Sequence, residues 1–159
     1  MIEEILAAES AMNFVVEKDP EMIPTVLAQI LDNCVNGVTL SDPDLPDNPI
    51  VYANEVFVRM TGYERDEIIG HNCRFLQCDD HDQPALEEIR AAMSAHRPVE
   101  VTLRNYRKDG TLFYNRLSIR PLLDPERRVI YYLGVQYDVT EQVEAQQEIE
   151  RLTRLLGQA

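Results

Sequence analysis

Apolar residues recur along this chain first at helical spacing, then in alternation, and the changes of period mark its elements. Ile2, Ile5, Leu6, Met12, Val15 and Val16 fall among acids at roughly helical intervals, which predicts an amphipathic helix over residues 1–16, outside the core domain. After Pro20 a second stripe, Val26, Leu27, Ile30 and Leu31, predicts a helix over residues 25–33, stopped by Asn36-Gly37. Short strands are expected at 38–40 and 50–52. The stiff segment Asp42-Pro43-Asp44-Leu45-Pro46-Asp47-Asn48-Pro49 joins them, because its prolines cannot donate ladder hydrogen bonds. Asn54 suits the cap of a helix carrying Val56, Phe57 and Met60 and closed by Gly62, and a shorter helix over 66–69 ends at Gly70. Pro84 suits the first turn of a helix whose Leu86, Ile89, Ala92 and Met93 share one face, and Pro98 ends it.

Three strands follow, over 99–106, 111–123 and 129–139, turned by Asp109-Gly110 and again near Asp124-Pro125. From Glu141 the period is helical once more, with Ala145, Ile149, Leu152 and Leu156 spaced four, three and four residues apart, two heptads at most. Two strands, then helices, then three strands predict an α+β domain: one five-stranded antiparallel sheet, helices on one face, and a flanking helix at each end.

Charge narrows the function classes. Twenty-eight acids against 15 bases leave a formal charge of −13, which offers a phosphate backbone no counterion-releasing surface and repels anionic lipid. No run approaches the roughly 20 apolar residues of a membrane span, and the chain opens on Glu3 and Glu4, so a cytoplasmic protein is expected, with no nucleic-acid or membrane partner. Three cysteines, Cys34, Cys73 and Cys78, lack C-x-x-C spacing and argue against a disulfide scaffold.

The chemistry concentrates in Gly70-His71-Asn72-Cys73-Arg74-Phe75-Leu76-Gln77, which sets one thiol among carboxamides and a guanidinium. His71, Cys73, Cys78 and His81 invite a zinc reading, but His-x-Cys is tighter than usual ligand spacing and no distal pair appears. A Cys-His enzyme would need His71, His81 or His96 as base, and nothing in the sequence gathers a base, an orienting carboxylate and an oxyanion hole, so no enzymatic activity is expected.

That octet resembles the flavin-binding motif of LOV domains, the blue-light-sensing branch of the PAS family. Asn105-Tyr106-Arg107-Lys108-Asp109-Gly110, Asn115 and Gly134-Val135-Gln136 are similar to LOV sequence in order and spacing, as is the Pro-rich loop. The resemblance implies three parts: an N-terminal helical extension over 1–34, a flavin-binding core over 35–140, and an output or dimerisation helix over 141–159. It implies FMN as cofactor, with riboflavin or FAD less favoured because two arginines suit a terminal phosphate.

It also assigns roles. Cys73 would bond reversibly to flavin carbon 4a after blue light. Arg74 and Arg90 would hold the phosphate, where a guanidinium offers forked, charge-assisted bonds. Asn105 and Asn115 would face the pyrimidine edge, which a carboxamide matches with both donors and an acceptor. Asn48, Asn72 and Gln77 would meet the ribityl hydroxyls, although turn formation explains Asn48 equally well. Leu76, Leu86, Ile89, Met93, Leu103, Leu117, Ile119 and Tyr132 would wall the ring, as apolar residues at such spacings would line any core. Gln136 would answer protonation of flavin nitrogen 5 by rotating its amide. Cys78, Thr39 and Met93 depart from the common pattern, Thr39 standing where an apolar residue often touches the flavin, and are expected to tune the lifetime of the photoproduct. The layout resembles bacterial short LOV photoreceptors, with a homodimer through the terminal helices and a downstream protein partner; the alternatives are a sensor piece of a longer kinase or cyclase-type protein, and a light-insensitive flavin- or ligand-binding PAS module, which would lack the cysteine or the carboxamides.

Overall fold

Pro24 occupies the first turn of α1 (Ile23–Asp32), where a missing N–H costs nothing, so this helix starts ahead of residue 25. The computed structural model describes residues 23–158, and the helix expected over 1–16 lies outside the described residues. The hairpin β1 (Gly37–Ser41) and β2 (Ile50–Ala53) leads to α2 (Glu55–Thr61), α3 (Arg65–Ile68), a 3₁₀ turn (Cys73–Gln77) and α4 (Pro84–Ser94). The long strands β3 (Val99–Tyr106), β4 (Leu112–Leu123) and β5 (Val129–Asp138) then precede α5 (Thr140–Gly157). All strand pairings are antiparallel, in the order β2-β1-β5-β4-β3, which is the α+β architecture the element order predicts. In the register of the two central strands, Gly37 at the start of β1 lies opposite Gln136 near the end of β5.

Strand alternation sorts the sheet into an inner and an outer face. Val101, Leu103 and Asn105, then Phe113, Asn115 and Leu117, then Tyr132 and Gln136 are buried at every second position. Strand and helix residues together form two apolar clusters between this face and the helical layer. Ile50, Ala53, Phe57, Ile68 and Leu76 make one, and Leu86, Val101, Leu103 and Leu117 the other. Each fully buried aliphatic or aromatic side chain contributes about 2 kcal/mol of transfer free energy before conformational entropy is counted. A cavity opens between the two clusters, bounded by Ile50 of the first and Leu103 and Leu117 of the second.

Asn54 ties the N-terminal flank to the domain. It is fully buried; its Oδ1 accepts from Phe57 N (3.0 Å), capping α2, and from Val38 N (2.8 Å) on β1. Its Nδ2 donates to Leu31 O (2.7 Å) at the end of α1 and to Asn36 O (3.0 Å). Asp32 Oδ1 adds a bond from Glu55 N (3.0 Å). Replacing Asn54 by alanine strands buried backbone groups as well as a cap, so Asn54→Ala is expected to destabilise the fold by about 2–4 kcal/mol. A denaturant titration with an unchanged midpoint would refute this assignment.

Candidate functional site

The cysteine turn is built to hold Cys73 still. Asn72 caps it, its Oδ1 accepting from Arg74 N (3.0 Å), while its Nδ2 donates to Asp47 O (2.8 Å) in the β1–β2 loop. Leu76 anchors the turn in the first apolar cluster, and Phe75 meets Tyr63 edge to face at 5.0 Å between centroids. Cys73 borders the cavity, and burial pushes its thiol up to about 12, so the sulfur keeps its proton across the physiological range. A thiol in that state is a poor ground-state nucleophile. The histidine with a resolved side-chain partner, His96, bonds Tyr132 Oη through Nδ1 at 3.0 Å. Among the described residues no cluster of His, Cys, Asp and Glu is arranged to hold a metal ion.

The cavity lies between the inner face of the sheet, the cysteine turn and α4. Ile89 and Met93 descend from α4 onto Leu103, Leu117 and Ile119, giving two apolar walls. Polar groups close the ends. Gln136 Nε2 donates to Thr39 Oγ1 (3.2 Å), and Asn115 Nδ2 donates to Asn105 Oδ1 (3.0 Å). Between Thr39 and Gln136 sits Gly134, where a Cβ would come within 2.6 Å of Thr39 Oγ1 and 2.8 Å of Gln136 Nε2, so no side chain fits.

Three buried oxygens in or directly behind this wall, Asn48 Oδ1, Asn115 Oδ1 and Gln136 Oε1, have no hydrogen-bond partner among the described residues. Such orphans are rare in folded proteins, and each marks a place where a donor belongs. A flat heteroaromatic ring carrying an N–H on one edge and a hydroxylated chain would satisfy the two that line the cavity, Asn48 Oδ1 and Gln136 Oε1, while filling the apolar slot. The residues present therefore fit a flavin.

Comparison with known proteins decides the family. The PAS domain model matches residues 35–141. A blue-light photoreceptor of Listeria monocytogenes is 41% identical over 126 residues, which are 79% of this chain and 49% of that protein. The solved structure of an RNA-binding light-oxygen-voltage receptor superposes with a TM-score of 0.79 at 36% identity, covering 91% of this chain and 40% of that one. A light-oxygen-voltage domain studied with a flavin analogue gives a TM-score of 0.69 at 40% identity over 84% of this chain and 98% of that one. This chain belongs to the LOV branch of the PAS family. LOV relatives bind flavin, and the chain spans about half or less of the length of the curated relatives it matches.

In this LOV domain the cavity brings together Thr39, Asn48, Asn72, Cys73, Arg74, Gln77, Ile89, Met93, Leu103, Asn105, Leu117, Ile119, Tyr132 and Gln136. Four residues expected at the flavin stand outside its lining. Leu76 and Leu86 point into the two apolar clusters, Asn115 backs Asn105, and Arg90 lies on the exposed face of α4 paired with Glu87. Ser41, Ile50 and Gly134 line it unexpectedly. Alternation could have found two of these: Ser41 follows Thr39 by two residues, and Gly134 precedes Gln136 by two.

A clamp that no motif announced fixes α4 over the LOV cavity. Arg104 grips Asp80 through Nε (2.7 Å) and Nη2 (2.8 Å), and Tyr106 Oη donates to the same carboxylate (2.8 Å). The Arg104 and Tyr106 bonds hold the Asp80 carboxyl at about 2. Gln83, at the cap of α4, accepts from Arg104 N (2.7 Å) and donates to Arg104 O (3.0 Å), joining the helix to β3. No helix among the described residues is long and apolar enough to cross a membrane.

Proposed function

We propose that this LOV domain senses blue light through bound FMN, with Cys73 as the photoactive residue and Gln136 as the switch that passes the event to the flanking helices. One observation carries this reading: a neutral thiol held in a capped turn borders a slot lined by two unpartnered carboxamide oxygens, those of Asn48 and Gln136. The flavin supplies absorption of blue light and, when excited, a reactive carbon 4a. Cys73 would contribute the sulfur for a reversible bond to that carbon and the proton that nitrogen 5 would take up. Because the driving force comes from the excited state, a thiol held near 12 is no obstacle; it keeps the dark state unreactive.

The path outward is short. Gln136 is followed two residues later by Asp138, whose carboxylate accepts from Arg107 Nη2 (2.6 Å) and from Thr140 N (3.1 Å) at the start of α5. Burial pushes this carboxyl up, but the bonds from Arg107 and Thr140 outweigh that and hold it below the usual range. Thr140 Oγ1 in turn accepts from Tyr114 N (3.0 Å) on β4. A rotated amide at Gln136 therefore acts on a strand whose end is bolted to the helix that follows.

The output in this reading is a change between copies of the chain. Ile149, Leu152 and Leu156 repeat on α5 and all are exposed, as are Val26, Leu27 and Ile30 on α1. Such stripes at helical spacing suit a second copy. Light scattering is expected to give a particle near twice 18.3 kDa in at least one of the dark and lit states; a particle of 18.3 kDa in both would remove the dimer. The chain's coverage of half or less of its curated relatives supports a second reading of the output, in which this domain drives a fused effector of kinase or cyclase type.

Absorption spectroscopy tests the whole. Purified protein should show a structured blue flavin band that bleaches under blue light and returns in the dark. A colourless protein, or a flavin that does not respond, would overturn the proposal.

A further inference from the structure

The loop between β1 and β2 does more than close a hairpin. Asp42 N donates to Pro49 O (3.0 Å), Leu45 N to Asp42 O (3.3 Å) and Asn48 N to Leu45 O (3.2 Å), so the loop is a folded unit. At its end Asp47 and Asn48 both take left-handed backbone conformations, with φ of 69° and 46°. Two successive non-glycine residues in that region are uncommon, and asparagine and aspartate tolerate it best. The effect is to send neighbouring side chains to different tasks. Asn48 lines the cavity with its buried Oδ1, while the Asp47 carboxylate forms an ion pair with Arg74. Asn72 donates to the Asp47 backbone carbonyl at 2.8 Å, so the backbone that carries this carboxylate is tied to the cysteine turn.

Arg74 is the single charged residue among those lining the cavity. A terminal phosphate on a bound flavin would find its cation there, whereas Arg90 lies outside the cavity lining. We infer that Asp47 is a specificity-determining residue of the flavin site: its carboxylate competes with the flavin phosphate for Arg74 and lowers the preference for FMN over riboflavin. The inference rests on the flavin reading given above. Both partners of the pair are exposed, at 54% and 60% of their side chains, so the pair itself is cheap to break. What the phosphate meets is a like charge beside the same guanidinium, and repulsion between close anions at a surface is screened by salt. Riboflavin keeps the ring and the ribityl chain but lacks the phosphate, so it makes the same cavity contacts and is indifferent to Asp47.

The test titrates the 159-residue chain, stripped of flavin, with riboflavin and with FMN separately, following quenching of flavin fluorescence, for the unsubstituted protein and Asp47→Asn. Asparagine accepts the left-handed conformation, so the loop keeps its shape. The expected result is FMN bound roughly tenfold tighter by the variant at low salt, riboflavin unchanged, and the FMN gain shrinking as salt rises. An equal shift for both flavins, or no shift for FMN, overturns the inference while leaving the flavin reading intact. Failure of the unsubstituted protein to bind either flavin overturns the flavin reading itself, and the inference with it.

Discussion

Cys73→Ala protein will bind flavin and stay yellow under blue light. The substitution removes one sulfur from a turn whose position is set elsewhere, by the Asn72 cap, by Leu76 in the apolar cluster and by the Phe75–Tyr63 contact. Its effect on flavin affinity should stay within about tenfold, the scale expected for deleting one small apolar group from a cavity wall. The reversible bleach, in contrast, should disappear completely, because Cys78 is exposed and lies beyond the end of the turn, outside the cavity lining. The measurement is the light-minus-dark absorption difference on equal concentrations of bound flavin. A surviving bleach with dark recovery would move the photochemistry to another thiol and sink the assignment of Cys73.

Gln136→Leu separates the chemistry from its transmission. Leucine nearly matches the volume but has neither the Nε2 that donates to Thr39 nor the unpartnered Oε1. The bleach should persist, since Cys73 and its turn are untouched. The response of α5 should fall: a hydrogen bond exchanged within the site is worth about 1 kcal/mol net, which biases a two-state element roughly fivefold, and leucine supplies none of it. Hydrogen exchange over residues 140–157 in dark and light reads this directly. An undiminished light response in the variant would show that the signal leaves by another route. The helical flank at α1 offers one, through Asn54 and β1, and the same exchange experiment reports on it.

How much of this could be read beforehand depended on the range of the interaction. Alternation located β3, β4 and β5, and Asn54 and Pro84 announced the helices that follow them, because caps and periods act over a few residues. Boundaries moved where one side chain decided them. Pro24 set the start of α1, and the Thr140 hydroxyl, accepting from Tyr114 N, set α5 beginning at 140. The flavin wall was harder. Leu76 and Leu86 belong to the same apolar stripes as residues that line the cavity, and a stripe does not say which of its members faces a cavity and which a packed cluster. The ion pairs were beyond reach altogether: Arg104 with Asp80 and Arg107 with Asp138 join residues 24 and 31 positions apart, and the chain carries 28 acids from which 15 bases might choose. Arg90 illustrates the cost, since its neighbour three positions back on α4 holds it at the surface.

The antiparallel pairing of β1 with β5 has a consequence for how such a domain can be wired. Because Gly37 sits across one rung from Gln136, the chain enters and leaves the sheet at the same end, beside the same side chain. Upstream and downstream helices are thus two levers on a common pivot. On the proposed reading, an amide rotating there would alter the phase of one lever relative to the other, whichever of them carries the load, so an effector spliced to either end would be driven by the same stroke.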